Sequence, residues 1–159
     1  MSHGGAWTSQ YPYDSFPAFQ RAYTLGSDAV KGDFRVSKDN TGMVTHSSPI
    51  EFYESPECTG KKIEDMLAAD IEKCKMALTD YHFISVPDLL GWAKDKVIVM
   101  LCVKRPEDIA RAVSTLIENN ATDRAFLEIR VGDVVNLVRR APGWEKVSFV
   151  YVSNINFSY

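Results

Sequence analysis

Little in this sequence declares a compartment or a large partner. Cysteine is scarce: Cys58, Cys74 and Cys102 are all there is, and no two share a CxxC spacing. An odd, widely spaced set reads as free thiols in a reducing compartment rather than as a disulfide framework. A Cys58–Cys74 bridge is the reading that applies if the chain is secreted. An excess of one charge is lacking too. Lys and Arg number 18 against 21 Asp and Glu, a net charge of -3, so no basic face is implied and nucleic acid is not an expected partner. No apolar run reaches the roughly 18 residues of a membrane span. The opening Met1-Ser2-His3-Gly4-Gly5 has neither the charged nor the apolar region of a signal peptide. With unpaired thiols, that favours a cytoplasmic location. Repeats and low-complexity linkers are also missing.

What remains is an ordinary globular composition, 45% hydrophobic and 25% charged. It reads as one domain over residues 1–159, long enough to bury a core without metals or disulfides. Its 159 residues fall short of the roughly 250 of a complete (β/α)₈ barrel.

The periodicity predicts a helix over Tyr13–Leu25, capped by Asp14 or Ser15 and closed by Gly26. A strand follows over Ala29–Ser37, then the turn Lys38-Asp39-Asn40-Thr41-Gly42 and a second strand over Met43–His46, a candidate hairpin. Residues 47–62 read as an excursion loop. Ile63–Ala77, Val86–Trp92, Pro106–Asn119 and Gly132–Arg140 carry helical spacing. Val97–Val103 is a continuous apolar run, expected as a strand buried on both faces. Arg124–Val131 and Lys146–Ile155 are further strands. Helices and strands alternate from residue 86 onward, which argues for an α/β fold with parallel pairing. Ligands of such folds gather at the carboxyl ends of the strands, which points to Asp33, Arg35, His46, Lys104, Arg105, Arg130 and Asn154.

The N-terminal text is more specific. It runs His3-Gly4-Gly5, then Tyr11-Pro12-Tyr13-Asp14-Ser15-Phe16-Pro17-Ala18-Phe19, then Gly26-Ser27-Asp28-Ala29-Val30-Lys31-Gly32-Asp33, then Ser37-Lys38-Asp39 and Val44-Thr45-His46. In this order and spacing it resembles the glycerophosphodiester phosphodiesterase family. That family carries His-Arg-Gly, Pro-Glu-Asn-Thr-Leu-x-Ala-Phe, Gly-Ala-Asp-x-Ile-Glu-x-Asp, Thr-Lys-Asp-Gly and His-Asp. Ile84–Leu90 and Val99–Lys104 are similar to two later family stretches. The resemblance implies an incomplete (β/α) TIM-like barrel and a role with small phosphodiesters or a glycerol phosphate-like ligand of phospholipid metabolism. It places His3 and His46 on the catalytic acid and base, Asp33 on a metal carboxylate and Lys104 on the lysine of the Glu-x-Lys strand.

The departures matter as much. Gly4 stands for the family's arginine, Tyr13 for a glutamate and Ser47 for the aspartate after the second histidine. Lys31 and Cys102 stand for the two metal glutamates. A Mg²⁺ or Ca²⁺ site needs several hard oxygen ligands, and only Asp33 is left. Lys31 is therefore expected to replace the cation and, with Lys104, to bind the substrate phosphate. A softer set of His3, His46, Asp33 and Cys102 would suit Zn²⁺ by ligand type. Trp7, Trp92 and Trp144 read as packing residues, and Cys102 as a core residue.

Three functions fit this pattern. The first is a binding protein that retains the family pocket with little or no metal-dependent hydrolysis. The second is a phosphoric diester hydrolase using His3 and His46. The third is one part of a larger barrel assembly. The barrel is expected to lack most of its first strand and the units beyond Tyr159, with His3 poorly anchored and exposed edges that favour a homo-oligomer.

Overall fold

Local chemistry sets most of the elements. In the computed structural model, which describes residues 1–129 and 134–151, Ser15 caps helix α1 (Phe16–Thr24) by accepting from the Ala18 N–H. Pro17 lies in its first turn, where no N–H is needed, and Gly26 at φ 84° turns the chain out. Strand β2 (Ala29–Val36) then folds back through the Lys38–Gly42 turn, with Asn40 at φ 61°, onto β3 (Gly42–Val44). Ser85 ends β4 (Ile84–Ser85) and caps α3 (Val86–Ala93) in the same stroke, accepting from the Asp88 N–H. The remaining units are β5 (Ile98–Val103), α4 (Ile109–Glu118), β6 (Ala125–Ile129), α5 (Val134–Arg139) and β7 (Ser148–Tyr151). Arg130 and Asn154 lie outside the described residues.

The strands form one sheet in the order β4-β3-β2-β5-β6-β7. The first strand is short but present. β1 (Ser2–His3) pairs parallel with β2, Ser2 opposite Val30 and His3 opposite Lys31, and the Gly4 N–H extends the ladder to the Lys31 carbonyl. His3 is thus anchored, contrary to expectation. β2, β5, β6 and β7 run parallel in turn, while β3 and β4 make an antiparallel flap on the far half of β2. Among the described residues the sheet does not close, and Val150 and Tyr151 of β7 are exposed. The fold is an incomplete (β/α) TIM-like barrel.

The apolar run of β5 is buried from Val99 to Val103, as its composition demands. Its outward residues, with Val30, Phe34 and Leu127, pack under Phe19, Leu89, Leu90, Val113 and Leu116 of the helices. Two expectations fail in the excursion. No helix spans Ile63–Ala77. The segment instead makes a single 3-10 turn at Ile63–Asp65 and a four-residue α2 (Ala68–Ile71). The reason is a satellite core of Ile50, Ile63, Ile71, Met76 and Phe83, crossed by a Cys58–Cys74 disulfide. Backbone groups here bond across the loop, the Lys38 N–H to the Met66 carbonyl and the Ala68 N–H to Asp39. The disulfide also corrects the reading of all three cysteines as free thiols: only Cys102 is free, and it is buried. The thiol argument for a cytoplasmic location falls with it. No helix among the described residues is long and apolar enough to cross a membrane.

Candidate functional site

Side chains alternate faces along a strand, and on β2 that alternation separates two chemistries. Val30 and Phe34 join the core, while Lys31, Asp33 and Arg35 face the inside of the partial barrel. Parallel register lines up Asp33 with Cys102 of β5, and Cys102 with Glu128 of β6. Charged groups from three strands therefore meet on one wall, where they divide into two centres.

The upper centre lies at the carboxyl end of the strands and is built on Asp33, which is fully buried. Lys104 Nζ is 2.8 Å from Asp33 Oδ1. His3 Nε2 lies 3.7 Å from the same oxygen, and His46 Nε2 lies 3.8 Å from Oδ2. Tyr13 donates its hydroxyl to Oδ2 at 3.3 Å, and its ring stands edge-on between the two imidazoles, 5.4 Å from His3 and 5.5 Å from His46. Both histidine side chains are nearly half exposed. His46 is held by its neighbours: Arg35 donates twice to its carbonyl, at 3.0 and 2.9 Å, and Ser47 Oγ lies 3.1 Å from its Nδ1. Arg105 is turned aside to Glu64 and Glu107. Four of the residues singled out from the sequence, His3, Asp33, His46 and Lys104, are thus brought together.

Burial, with the Lys31 charge next, holds the His3 imidazole below its usual value. Asp14 lies beneath Asp33, accepts from the Asp33 N–H at 3.3 Å and is buried. Burial first, then the Asp33 charge, raises its carboxyl well above the ordinary range. Burial and a like carboxylate both disfavour the charged form, which is why the shift at Asp14 is upward.

The lower centre is sealed. Lys31 Nζ lies 2.8 and 2.7 Å from the two oxygens of Glu128, and both side chains are about 4% exposed. Lys31 therefore spends its charge inside the wall. Cys102 Sγ points at Glu128 Oε1, 3.6 Å away, and burial pushes its thiol up to about 11. Its Sγ is thus engaged with Glu128, and the His3, His46, Asp33 and Cys102 set does not assemble into a metal cluster among the described residues. Nor do the residues fit a hard divalent cation, because the two ammonium groups already neutralise the two carboxylates. No cluster of three or more His, Cys, Asp or Glu suited to a metal occurs among the described residues.

The site also contains residues that sequence reasoning missed. Glu128 was legible as a lone charge inside an apolar strand, which demands a buried partner. Tyr13 accounts for Gly4. Gly4 sits at φ 67°, and a β-carbon there would meet the Tyr13 ring at 2.2 Å, so an arginine at position 4 and a tyrosine at position 13 exclude each other. Trp92 and Trp144 pack against the core as expected, but Trp7 does not. It is 58% exposed and stands edge-on to Tyr13 at 6.1 Å.

No family model and no curated protein matches the chain. Solved structures do. A glycerophosphodiester phosphodiesterase from Thermotoga maritima aligns with a TM-score of 0.74 at 20% identity, covering 100% of this chain and 64% of that one. A glycerophosphoryl diester phosphodiesterase from Parabacteroides distasonis gives 0.76 at 18% identity over 94% of this chain and 52% of its own. A glycerophosphodiester phosphodiesterase from Agrobacterium tumefaciens gives 0.72 at 17% identity over 87% and 59%. The chain thus has the fold of the glycerophosphodiester phosphodiesterases and spans between half and two thirds of the length of these relatives.

Proposed function

We propose that this chain is a divergent member of the glycerophosphodiester phosphodiesterase family that binds a phosphodiester anion at the Asp33 centre without a divalent cation. The observation that carries this reading is the convergence of Lys104, His3 and His46 on one carboxylate at the open end of the strands. Three cationic or protonatable groups face one fixed negative charge there, so an incoming phosphate finds donors on several sides. The primary role in this reading is binding.

A second reading, phosphoric diester hydrolysis, is favoured by His3 in particular. An imidazole held below its usual value is neutral near pH 7 and can take the proton of an attacking hydroxyl. His46, beside the other oxygen of Asp33, would give one to the departing alkoxide. Lys31 has no direct part in either reading, and Lys104 carries the phosphate contact. The open sheet edges offer pairing to a second copy or to further strands of a larger assembly.

Calorimetric titration with inorganic phosphate and glycerophosphocholine tests the proposal. Both are expected to bind, and His46→Ala and Lys104→Met each to weaken binding about tenfold or more, since a charge-assisted contact contributes roughly 1.5–3 kcal/mol. Adding Mg²⁺, Ca²⁺ or a chelator should leave binding unchanged. Turnover that His46→Ala abolishes would select the second reading over the first. Binding or turnover that appears only with a divalent cation would overturn both.

A further inference from the structure

Beside His46 and Tyr13 a cavity of about 540 Å³ opens between the N-terminal loop and the excursion. Its wall is largely Trp7, Pro12, Tyr13, Tyr53, Met76 and Leu78. Glu54 is the only carboxylate among the described residues that line it, and it is already engaged. One oxygen accepts from the Ser47 N–H and the other from the Glu51 N–H. The mouth exposes apolar surface that the fold has no need of: Trp7, Tyr53 at 65% and Leu78 at 92%. Leu78 is also held at φ 62°, a conformation that costs a leucine free energy. A strained, almost wholly exposed leucine at a cavity mouth has no role in packing.

The cavity is continuous with the phosphate centre. His46 and Tyr13 line both, and the Tyr53 hydroxyl stands 3.4 Å from His46 Nδ1 and from Ser47 Oγ. We infer that the groove holds a single hydrocarbon chain, and that the phosphodiester taken by this protein is a lysophospholipid-type molecule with its phosphate at Asp33 and its chain along Trp7, Tyr53 and Leu78. This rests on the phosphate reading above and adds the class of molecule. A glycerol-sized group would leave most of such a groove unfilled, and a polar head group would find no free charge along it. An apolar chain buries its methylenes against two aromatic rings, a leucine and a methionine.

The test uses hexanoyl, octanoyl and decanoyl lysophosphatidylcholine below their micelle concentrations, with glycerophosphocholine as the chainless reference. Binding is read by tryptophan fluorescence and by calorimetry. Each added methylene is expected to tighten binding by up to roughly fourfold, with a blue shift from Trp7. Leu78→Glu should flatten the chain-length series. Leu25→Glu, at an equally apolar but distant exposed site, should leave it intact. Decyl maltoside supplies a chain without phosphate. If phosphate and glycerophosphocholine bind but chain length adds nothing, the groove inference is overturned and the phosphate reading stands. If neither phosphate ligand binds while decyl maltoside does, and Leu78→Glu abolishes that, the phosphate reading falls and the hydrocarbon groove stands. Binding only to phosphatidylcholine vesicles, or a dimer that Leu78→Glu dissolves, would overturn the single-chain assignment.

Discussion

The two charged centres on the inner wall lie one strand step apart and contain similar groups, yet they have opposite characters. Asp33 is fully buried, but its partners His3, His46 and Lys104 reach toward solvent. Lys31 and Glu128 meet each other with almost no exposure. Depth decides the difference. Near the strand ends a charge can keep partial hydration and exchange one partner for a ligand. One step down it must be fully paired or neutral, because an isolated buried ion costs several kcal/mol. A cation at the lower position therefore needs its anion from within the chain, and Glu128 provides it. The upper centre keeps solvent-facing partners, as the proposed anion site requires, and the lower one is a fixed part of the wall.

The largest effect should come from breaking the lower pair. Lys31→Met leaves Glu128 without its cation and is expected to destabilise the fold by about 3–5 kcal/mol, read by chemical denaturation. Lys31→Met combined with Glu128→Leu removes both charges and should recover most of the loss. If the single change costs no more than an exposed ion pair, the two centres are not distinct. A smaller loss, about 3 kcal/mol for a loop of this length, is expected from Cys58→Ser with Cys74→Ser. That loss tests the opposite half of the comparison, because the upper centre borrows a wall from the excursion and the lower pair does not. Hydrogen exchange should show amides around Ile50, Met76 and Phe83 losing protection while those of β5 and β6 keep theirs.

The same contrast explains how much was legible in the sequence. Capping at Ser15 and Ser85, the Lys38–Gly42 turn and the apolar β5 run are local signals, and local signals survive folding. The order of the motifs pointed to His3, Asp33, His46 and Lys104 together because each lies on a strand or just past its carboxyl end. The Ile63–Ala77 segment misled because its apolar spacing serves a satellite core, where a disulfide and cross-loop hydrogen bonds replace helical ones. Lys31 misled differently. Its place on β2 was readable, but its partner sits 97 residues later, and pairing over that distance leaves no local pattern. The Tyr13–Gly4 exchange was visible only as two separate departures, until the ring was seen to fill the space a side chain at position 4 would need.

The smallest effect, and the finest test of the comparison, lies in His3. Its imidazole is held below 6.5 mainly by burial and next by the Lys31 charge, so the lower centre reaches the upper one through its field. In the folded state His3 binds its proton less readily than in the unfolded chain. Between the folded value and 6.5 the unfolded state therefore carries more protons, and stability rises with pH across that window. His3 costs the fold nothing above pH 6.5, and its penalty on acidification is complete once the pH has fallen through the folded value. His3→Gln should remove that part of the acid sensitivity. In NMR titrations the His3 midpoint should lie below 6.5 in the free protein. It should rise when Lys31→Met with Glu128→Leu takes away the neighbouring ammonium. It should rise again when inorganic phosphate binds, because an anion beside the ring favours the imidazolium. Phosphate binding near pH 6 would then take up protons, which calorimetry in buffers of different ionisation enthalpy measures directly. A midpoint that ignores phosphate would place the anion away from His3 and leave Lys104 and His46 as the only groups of the upper centre able to hold it.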